Sequence, residues 1–348
     1  MKVDKEELIS ELKNREPLIL NIFNQERYRR CFKPEPLRQA TYTYLNRPAK
    51  RFRPGILLFC CGAVGGWEKK ALLAAAAVEV YHTWTLVHDD IIDNDPKRRG
   101  FPTVHEEIRL EAIKWDYSEK EAAEMGRNIA ILAGDLQHAW SMRLLLDLAE
   151  TGVSLPVIYD LVRRLEFDVT SRLLEGEAQD VLFARRRIEE LSEDEVLSML
   201  EQKTGILYQY AALAGAAIGL DQTPSENKLI EVLGNFARQC GIAFQLQDDI
   251  LGITGDEKLL GKAVGSDIRE GKRTTILLHA FAEAEEPERQ FLIRWLGNPE
   301  ASEREIEKIQ QILIEYDGIE YTRKLAEAIV TDALNELVIL PDSKYKEL

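Results

Sequence analysis

Residues 72–93 read LLAAAAVEVYHTWTLVHDDIID, and this stretch decides the fold. Leu72, Leu73, Ala76, Val80 and Trp84 recur at helical spacing, with none of the alternation that marks a strand. The alanines at 74 to 77 leave the helix thin enough for neighbours to approach closely, which a domain of many helices requires. The same helix ends in three aspartates, Asp89, Asp90 and Asp93, inside a segment that otherwise reads as buried. A second apolar segment, residues 244–252 (FQLQDDILG), carries the pair Asp248 and Asp249. An uncompensated buried carboxylate costs at least several kcal/mol, so both groups require bound cations or paired bases.

Outward from these segments the helical pattern persists. Leu8, Leu12, Leu18, Ile19 and Ile22 repeat it near the start, and a second run of small residues spans Ala211 to Ala217. Turn clusters fall at Arg47-Pro48, Gly65-Gly66, Asp95 to Pro102, Thr151-Gly152, Asp221 to Ser225 and Thr254 to Gly271. Strand signals are almost absent, and nothing resembles an interdomain linker. The expected fold is all-α, a single large helical bundle over residues 1–348 with a central cavity. Bundles build metal sites from side chains on opposed helices, so the two aspartate segments are expected to face each other across that cavity.

A formal net charge of -15, from 60 acidic and 45 basic residues, argues against a nucleic-acid partner, because such proteins present a basic face. It does not exclude an anionic small molecule, since basic residues cluster locally at Lys50 to Arg53, Lys97 to Arg99 and Lys272-Arg273. Cys31, Cys60, Cys61 and Cys240 have neither zinc-site nor Cys-x-x-Cys spacing and read as free thiols. Residues 1–7, MKVDKEE, lack the apolar stretch of a secretory signal. No run approaches the roughly 20 apolar residues of a membrane span. The expected location is the cytoplasm.

Asp89 and Asp93 are four apart and share a helix face, Asp90 is adjacent, and His82 lies seven residues before Asp89 on nearly the same stripe. Mg²⁺ suits such a site, because it takes one or two carboxylates and fills its other positions with phosphate and water. The loop that follows, residues 94–103 (NDPKRRGFPT), offers Arg98 and Arg99, and arginine grips phosphate through several donors at once. Each part alone has a bland explanation as a solvated helix end or a surface pair. Together they imply a metal-bridged diphosphate site.

These motifs resemble those of the trans-type isoprenyl diphosphate synthases, the prenyltransferases that make farnesyl and geranylgeranyl diphosphate. The likeness runs in order through Lys50-Arg51-Phe52-Arg53-Pro54, Glu79 to Asp93, Arg98-Arg99-Gly100, Gly134-Asp135, Gly176-Glu177, Lys203-Thr204-Gly205, Phe244 to Gly252, and Gly261-Lys262 to Gly271-Lys272. It implies an allylic diphosphate bound through several Mg²⁺ ions on Asp89, Asp93 and Asp248, with Asp90 and Asp249 in support. Arg98, Lys203, Thr204, Gln245 and Lys262 would complete that site, with Lys272 also assigned to substrate. Isopentenyl diphosphate would take Lys50, Arg53, His82 and Arg99. Catalysis would proceed through an allylic cation steadied by the backbone carbonyls of Lys203 and Thr204 and by Gln245, and the departing diphosphate would take the final proton. The resemblance also implies a homodimer.

Two positions depart from the family pattern. Gly252 stands where many relatives have a third aspartate, and Pro48-Ala49 replaces the usual glycine pair before Lys50. Product length in the family depends on residues upstream of the first aspartates, here Tyr81, Trp84 and Thr85. A large aromatic five before Asp89 with a small residue after it resembles the geranylgeranyl (C20) type, with farnesyl diphosphate (C15) as the runner-up. An ideal wheel puts Trp84 roughly 140° from Asp89, so its place in the pocket comes from the resemblance, and helix packing is the alternative. A terpene cyclase would share the bundle and metal site but has no need of Lys50, Arg53 and Arg99. A non-catalytic partner subunit would have no need of all three aspartates at 89, 90 and 93.

Overall fold

The computed structural model describes residues 5–255 and 265–348, and the helical spacing of the apolar positions is realised along them. In chain order the helices among the described residues are α1 (Lys5–Phe23), α2 (Glu26–Arg29), α3 (Glu35–Tyr42), α4 (Phe52–Ala63), α5 (Glu68–Ile92), α6 (Val104–Lys114), α7 (Glu119–Leu146), α8 (Leu155–Arg163), α9 (Thr170–Phe183), α10 (Glu193–Leu200), α11 (Ile206–Leu220) and α12 (Lys228–Thr254). They continue with α13 (Ser266–Glu270), α14 (Thr275–Glu283), α15 (Glu286–Trp295), α16 (Glu303–Glu315), α17 (Gly318–Glu336) and α18 (Lys344–Glu347). Among the described residues the sheet is confined to one hairpin, β1 (Lys97–Arg98) against β2 (Phe101–Pro102), in the turn cluster after α5. All four cysteines are free. Among the described residues no helix is long and apolar enough to cross a membrane.

The chain divides into two compact units: Met1–Phe167 with Tyr210–Gly234 and Leu337–Leu348, and Asp168–Gln209 with Asn235–Glu336. In the first, α5 is the central helix. Every residue from Leu73 to Tyr81 is buried, so this part of the helix presents no solvated face and packs on α1, α4 and α7. The alanine run permits those approaches. Helix α7, its most extensive neighbour, starts at a capping box in which Ser118 and Glu121 satisfy each other's backbone N–H groups. The hairpin pairs Lys97 with Pro102 and Arg98 with Phe101. Its two turn residues, Arg99 (φ 53°) and Gly100 (φ 80°), are both left-handed, as a tight two-residue hairpin requires.

In the second unit α12 supplies the seam. Leu246, Ile250 and Ile253 recur on one face of the helix and are buried. Leu246 packs with Phe183, Val196 and Met199, and Ile250 and Ile253 pack with Ile268 and Ile276. Asp249 lies three residues after Leu246 and four before Ile253, so the helical period carries it into the same buried seam. Residues Glu201–Gly205, between α10 and α11, form a π-helical turn.

Candidate active site

The C-terminal end of α5 concentrates negative charge. Its last turn holds Asp89 and Asp90 and no basic residue, and Asp93 follows as the C-cap, its N–H donating to the Asp89 carbonyl. A helix C-terminus already carries partial negative charge, so carboxylates there favour a cation. One comes from the hairpin. Arg98 folds back so that Nε donates to Asp90 Oδ1 at 2.6 Å and Nη2 to Asp89 Oδ2 at 3.0 Å. Asp90 is 1% exposed and also accepts from the Tyr44 hydroxyl. Burial pushes the Asp90 carboxyl above its usual range, although Arg98 and Tyr44 oppose it. Burial would weaken the charge on Arg98, but the two aspartates outweigh that effect and hold the guanidinium firmly protonated.

Asp90 is thus an inward strut, while Asp89 and Asp93 remain partly exposed. Among the described residues no three His, Cys, Asp or Glu side chains converge to hold a metal by themselves. The donor set nevertheless fits Mg²⁺. Hard carboxylate oxygens four residues apart, at a helix end that repels further negative charge, suit an ion that takes few protein ligands and completes its shell with phosphate and water.

Beside this helix end lies a pocket enclosing about 460 Å³ of empty space, part of it open to solvent, with His82, Arg98, Arg99, Glu79, Pro48 and Ala49 in its wall. Arg53 Nη1 lies 3.0 Å from His82 Nε2, and since a guanidinium can only donate, Nε2 accepts and the ring proton resides on Nδ1. Burial, then the charges of Arg53, Arg99 and Arg98, hold His82 well below its ordinary range, so it is neutral. Desolvation in the pocket and repulsion from Arg98 lower Arg99. Lys50 is exposed, with Nζ 5.9 Å from the Phe52 ring. The replaced glycine pair, Pro48-Ala49, is therefore part of the pocket wall itself.

In the second unit Gln245 Nε2 donates to Asp249 Oδ1 at 3.0 Å, and Gln245 Oε1 accepts from the Thr204 hydroxyl at 3.1 Å. Lys203 Nζ lies 2.7 Å from Asp180 and 2.9 Å from Glu177. Thr204 and Lys203 sit in the π-helical turn, whose wider ladder re-aims backbone carbonyls and recurs at functional sites. Asp248 is exposed and Asp249 buried. Burial, then the charge of Asp267, push the Asp249 carboxyl up to about 8. A Cβ at Gly252 would lie 2.7 Å from Asp267 Oδ2. The carboxylate of Asp267 occupies space next to the position where many relatives carry a third aspartate. Lys272 Nζ lies 2.9 Å from Glu270 and 3.7 Å from Asp267. Lys262 lies outside the described residues.

The three residues assigned to product length separate in space. Thr85 is partly buried on the His82 side, its hydroxyl donating to the His82 carbonyl at 2.8 Å. Tyr81 and Trp84 are buried and turn toward α7, where the Trp84 ring lies 4.6 Å from that of His138 and 4.9 Å from that of Tyr81.

Several residues received no role from the motifs. Arg51, within a basic cluster, is buried with φ 48° and donates to Glu79 at 2.5 Å, Glu16 at 3.1 Å and the Leu45 carbonyl at 2.8 Å. It braces the junction between the loop that carries Lys50 and the start of α4, where Arg53 lies. A lone glutamate among alanines and valines was the available signal for this pair, because it too needs a base. Tyr44 and Asp267 left no such signal, since their partners are distant in sequence.

The sequence profile of the polyprenyl synthetase family matches residues 34–313. The chain is similar to the geranylgeranyl diphosphate synthase of Saccharolobus solfataricus, 36% identical over 309 residues that span 88% of this chain and 85% of that protein. It is also similar to the geranylfarnesyl diphosphate synthase of Aeropyrum pernix, 32% identical over 319 residues that span 90% of this chain and 92% of that one. Among solved structures it resembles the geranylgeranyl pyrophosphate synthase of Corynebacterium glutamicum complexed with isoprenyl diphosphate and magnesium, at a TM-score of 0.83 and 25% identity over 99% of this chain and 96% of that chain.

Proposed function

The chain belongs to the polyprenyl synthetase family and is a prenyltransferase, and from that premise we propose that it condenses isopentenyl diphosphate with an allylic diphosphate, head to tail, to give mainly geranylgeranyl diphosphate (C20). One observation carries this function: Arg98 touches Asp89 and Asp90 and also lines the pocket of His82 and Arg99, so a carboxylate site and a basic site adjoin on one helix. A cyclase would use the first and has no need of the second.

Asp89 and Asp93 at the end of α5, with Asp90 behind them, and Asp248 on α12, with Asp249 behind it, would hold several magnesium ions, which would stabilise charge on a departing diphosphate. Arg98, Lys203 and Lys272 would supply positive charge to the same group. Lys50, Arg53, His82 and Arg99 hold isopentenyl diphosphate. His82 stays neutral there and accepts from Arg53, which leaves the guanidinium oriented. The allylic cation meets the carbonyls of Lys203 and Thr204 in the π-turn and the Gln245 amide, whose orientation Thr204 and Asp249 fix. The departing diphosphate takes the last proton, so no side-chain base is required. Tyr81 and Trp84 end the pocket for the growing chain.

We read residues 1–348 as one domain. The enzyme is cytoplasmic and a homodimer. Leu132 and Leu146 on α7 and Leu155 and Tyr159 on α8 are each more than half exposed, which supports a second copy as the partner. The test is incorporation of labelled isopentenyl diphosphate onto a ten-carbon primer, with and without Mg²⁺. Metal-dependent incorporation is expected, and turnover of the primer alone into hydrocarbon would instead make the chain a cyclase.

A further inference from the structure

His88, immediately before Asp89, has no part in the chemistry above, yet it is held from two sides. Its Nε2 lies 3.2 Å from the Ile131 carbonyl on α7, and a carbonyl only accepts, so Nε2 carries the ring proton. Nδ1 is then bare and accepts from the Trp84 indole Nε1–H at 3.2 Å. A single tautomer satisfies both contacts. The seat is cut to the ring: a Cβ on Gly134, three residues after Ile131, would lie 2.2 Å from His88 Nε2 and 2.5 Å from Cδ2. Gly134 matched the family motifs without an assigned role, and this contact supplies one. Any other residue there would displace the imidazole.

Trp84 depends on that arrangement. Its ring is 7% exposed and wedged between Tyr81 and His138, with the His88 ring 5.9 Å away, and its N–H points at His88. An aromatic ring can limit a growing chain only if it does not swing aside. A buried indole N–H that loses its acceptor has a strong reason to turn. We propose that His88, seated on Gly134 and the Ile131 carbonyl, fixes the Trp84 indole and thereby sets product length, as a positioning residue that acts through Trp84. This rests on Trp84 being the floor of the pocket.

The experiment compares products and indole N–H resonances of the full chain carrying His88→Leu, His88→Asn, Gly134→Ala, Trp84→Ala, and the double Trp84→Ala/His88→Leu. In His88→Leu the C25-to-C20 ratio should rise about tenfold, the worth of one lost hydrogen bond. The Trp84 N–H resonance, assigned as the one missing in Trp84→Ala, should move upfield with it. His88→Asn should retain C20 and the resonance, because Asn Oδ1 stands where Nδ1 stood. Gly134→Ala should reproduce the His88→Leu shift with the histidine intact. Trp84→Ala should lengthen products, and adding His88→Leu to it should change nothing further. Unchanged C20 from His88→Leu alongside longer products from Trp84→Ala would overturn the proposal and leave the floor standing. Unchanged C20 from Trp84→Ala would remove the floor and the proposal together. Lengthening by His88→Leu of equal size in the Trp84→Ala background would show that His88 does not act through Trp84.

Discussion

In both aspartate pairs the helical period sends the second carboxylate inward, but the surroundings differ. Asp90, on the face of Thr83 and Val87, meets the Arg98 guanidinium and the Tyr44 hydroxyl. Asp249, on the face of Leu246 and Ile253, meets the amide of Gln245 with Asp267 close enough to repel it. The first region therefore carries its own counter-charge. In the second, burial and the charge of Asp267 push the Asp249 carboxyl up to about 8, so a cation bound there would have to displace a proton. The same motif is thus preassembled at the end of α5 and conditional on α12.

The largest effect should come from the exposed member of the preassembled pair. Asp89→Ala is expected to lower condensation roughly a thousandfold while circular dichroism and melting stay near wild type; near-normal turnover would remove the metal role of that helix end. Arg98→Gln breaks the comparison directly, because it strips Asp90 of its charge partner. A loss of about 3 kcal/mol in denaturant unfolding is expected without metal, and a loss below experimental error would mean that Tyr44 alone satisfies Asp90.

The conditional pair should show itself in the pH dependence of metal-free stability. Asp249 is raised above its unfolded value near 4, so between about pH 4 and 8 the folded chain keeps a proton that the unfolded chain has lost. Stability contributed by that proton is complete at the acid end and falls as pH rises through the window, by about 1.4 kcal/mol per pH unit at most. Asp249→Asn should flatten this slope in urea unfolding measured at steps of pH, and a slope equal to wild type would assign the proton elsewhere. The smallest effect expected is that of Gly252→Asp. A third carboxylate would crowd and repel Asp267, which should cost about 1 kcal/mol without metal and less with it; a metal-free gain in melting temperature would show that Asp267 moves away freely.

The fold was legible because helical period and small-residue runs are local properties, and α5 and α12 appear where the apolar spacing puts them. The neighbourhood of Asp89, His82 and Arg98 follows from the same local spacing, since one helix and its following loop carry all three. Tyr44 with Asp90, Arg51 with Glu79, and Asp267 beside Gly252 were not legible, because each contact joins residues that only tertiary packing makes neighbours. The hairpin also escaped notice. Its signal was a turn cluster, and a left-handed Arg99 followed by glycine is a backbone state that composition does not announce. An ideal wheel puts Trp84 roughly 140° from Asp89, and its ring packs on α7 beside His138.

The most direct test of the central claim is a product-length assay on the purified chain with Mg²⁺, isopentenyl diphosphate and allylic primers of five, ten and fifteen carbons, read by mass after dephosphorylation. Every accepted primer should be carried to C20 and stop there. A C15 or C25 end point would keep the condensation and move the floor, and no elongation from any primer would contradict the function itself.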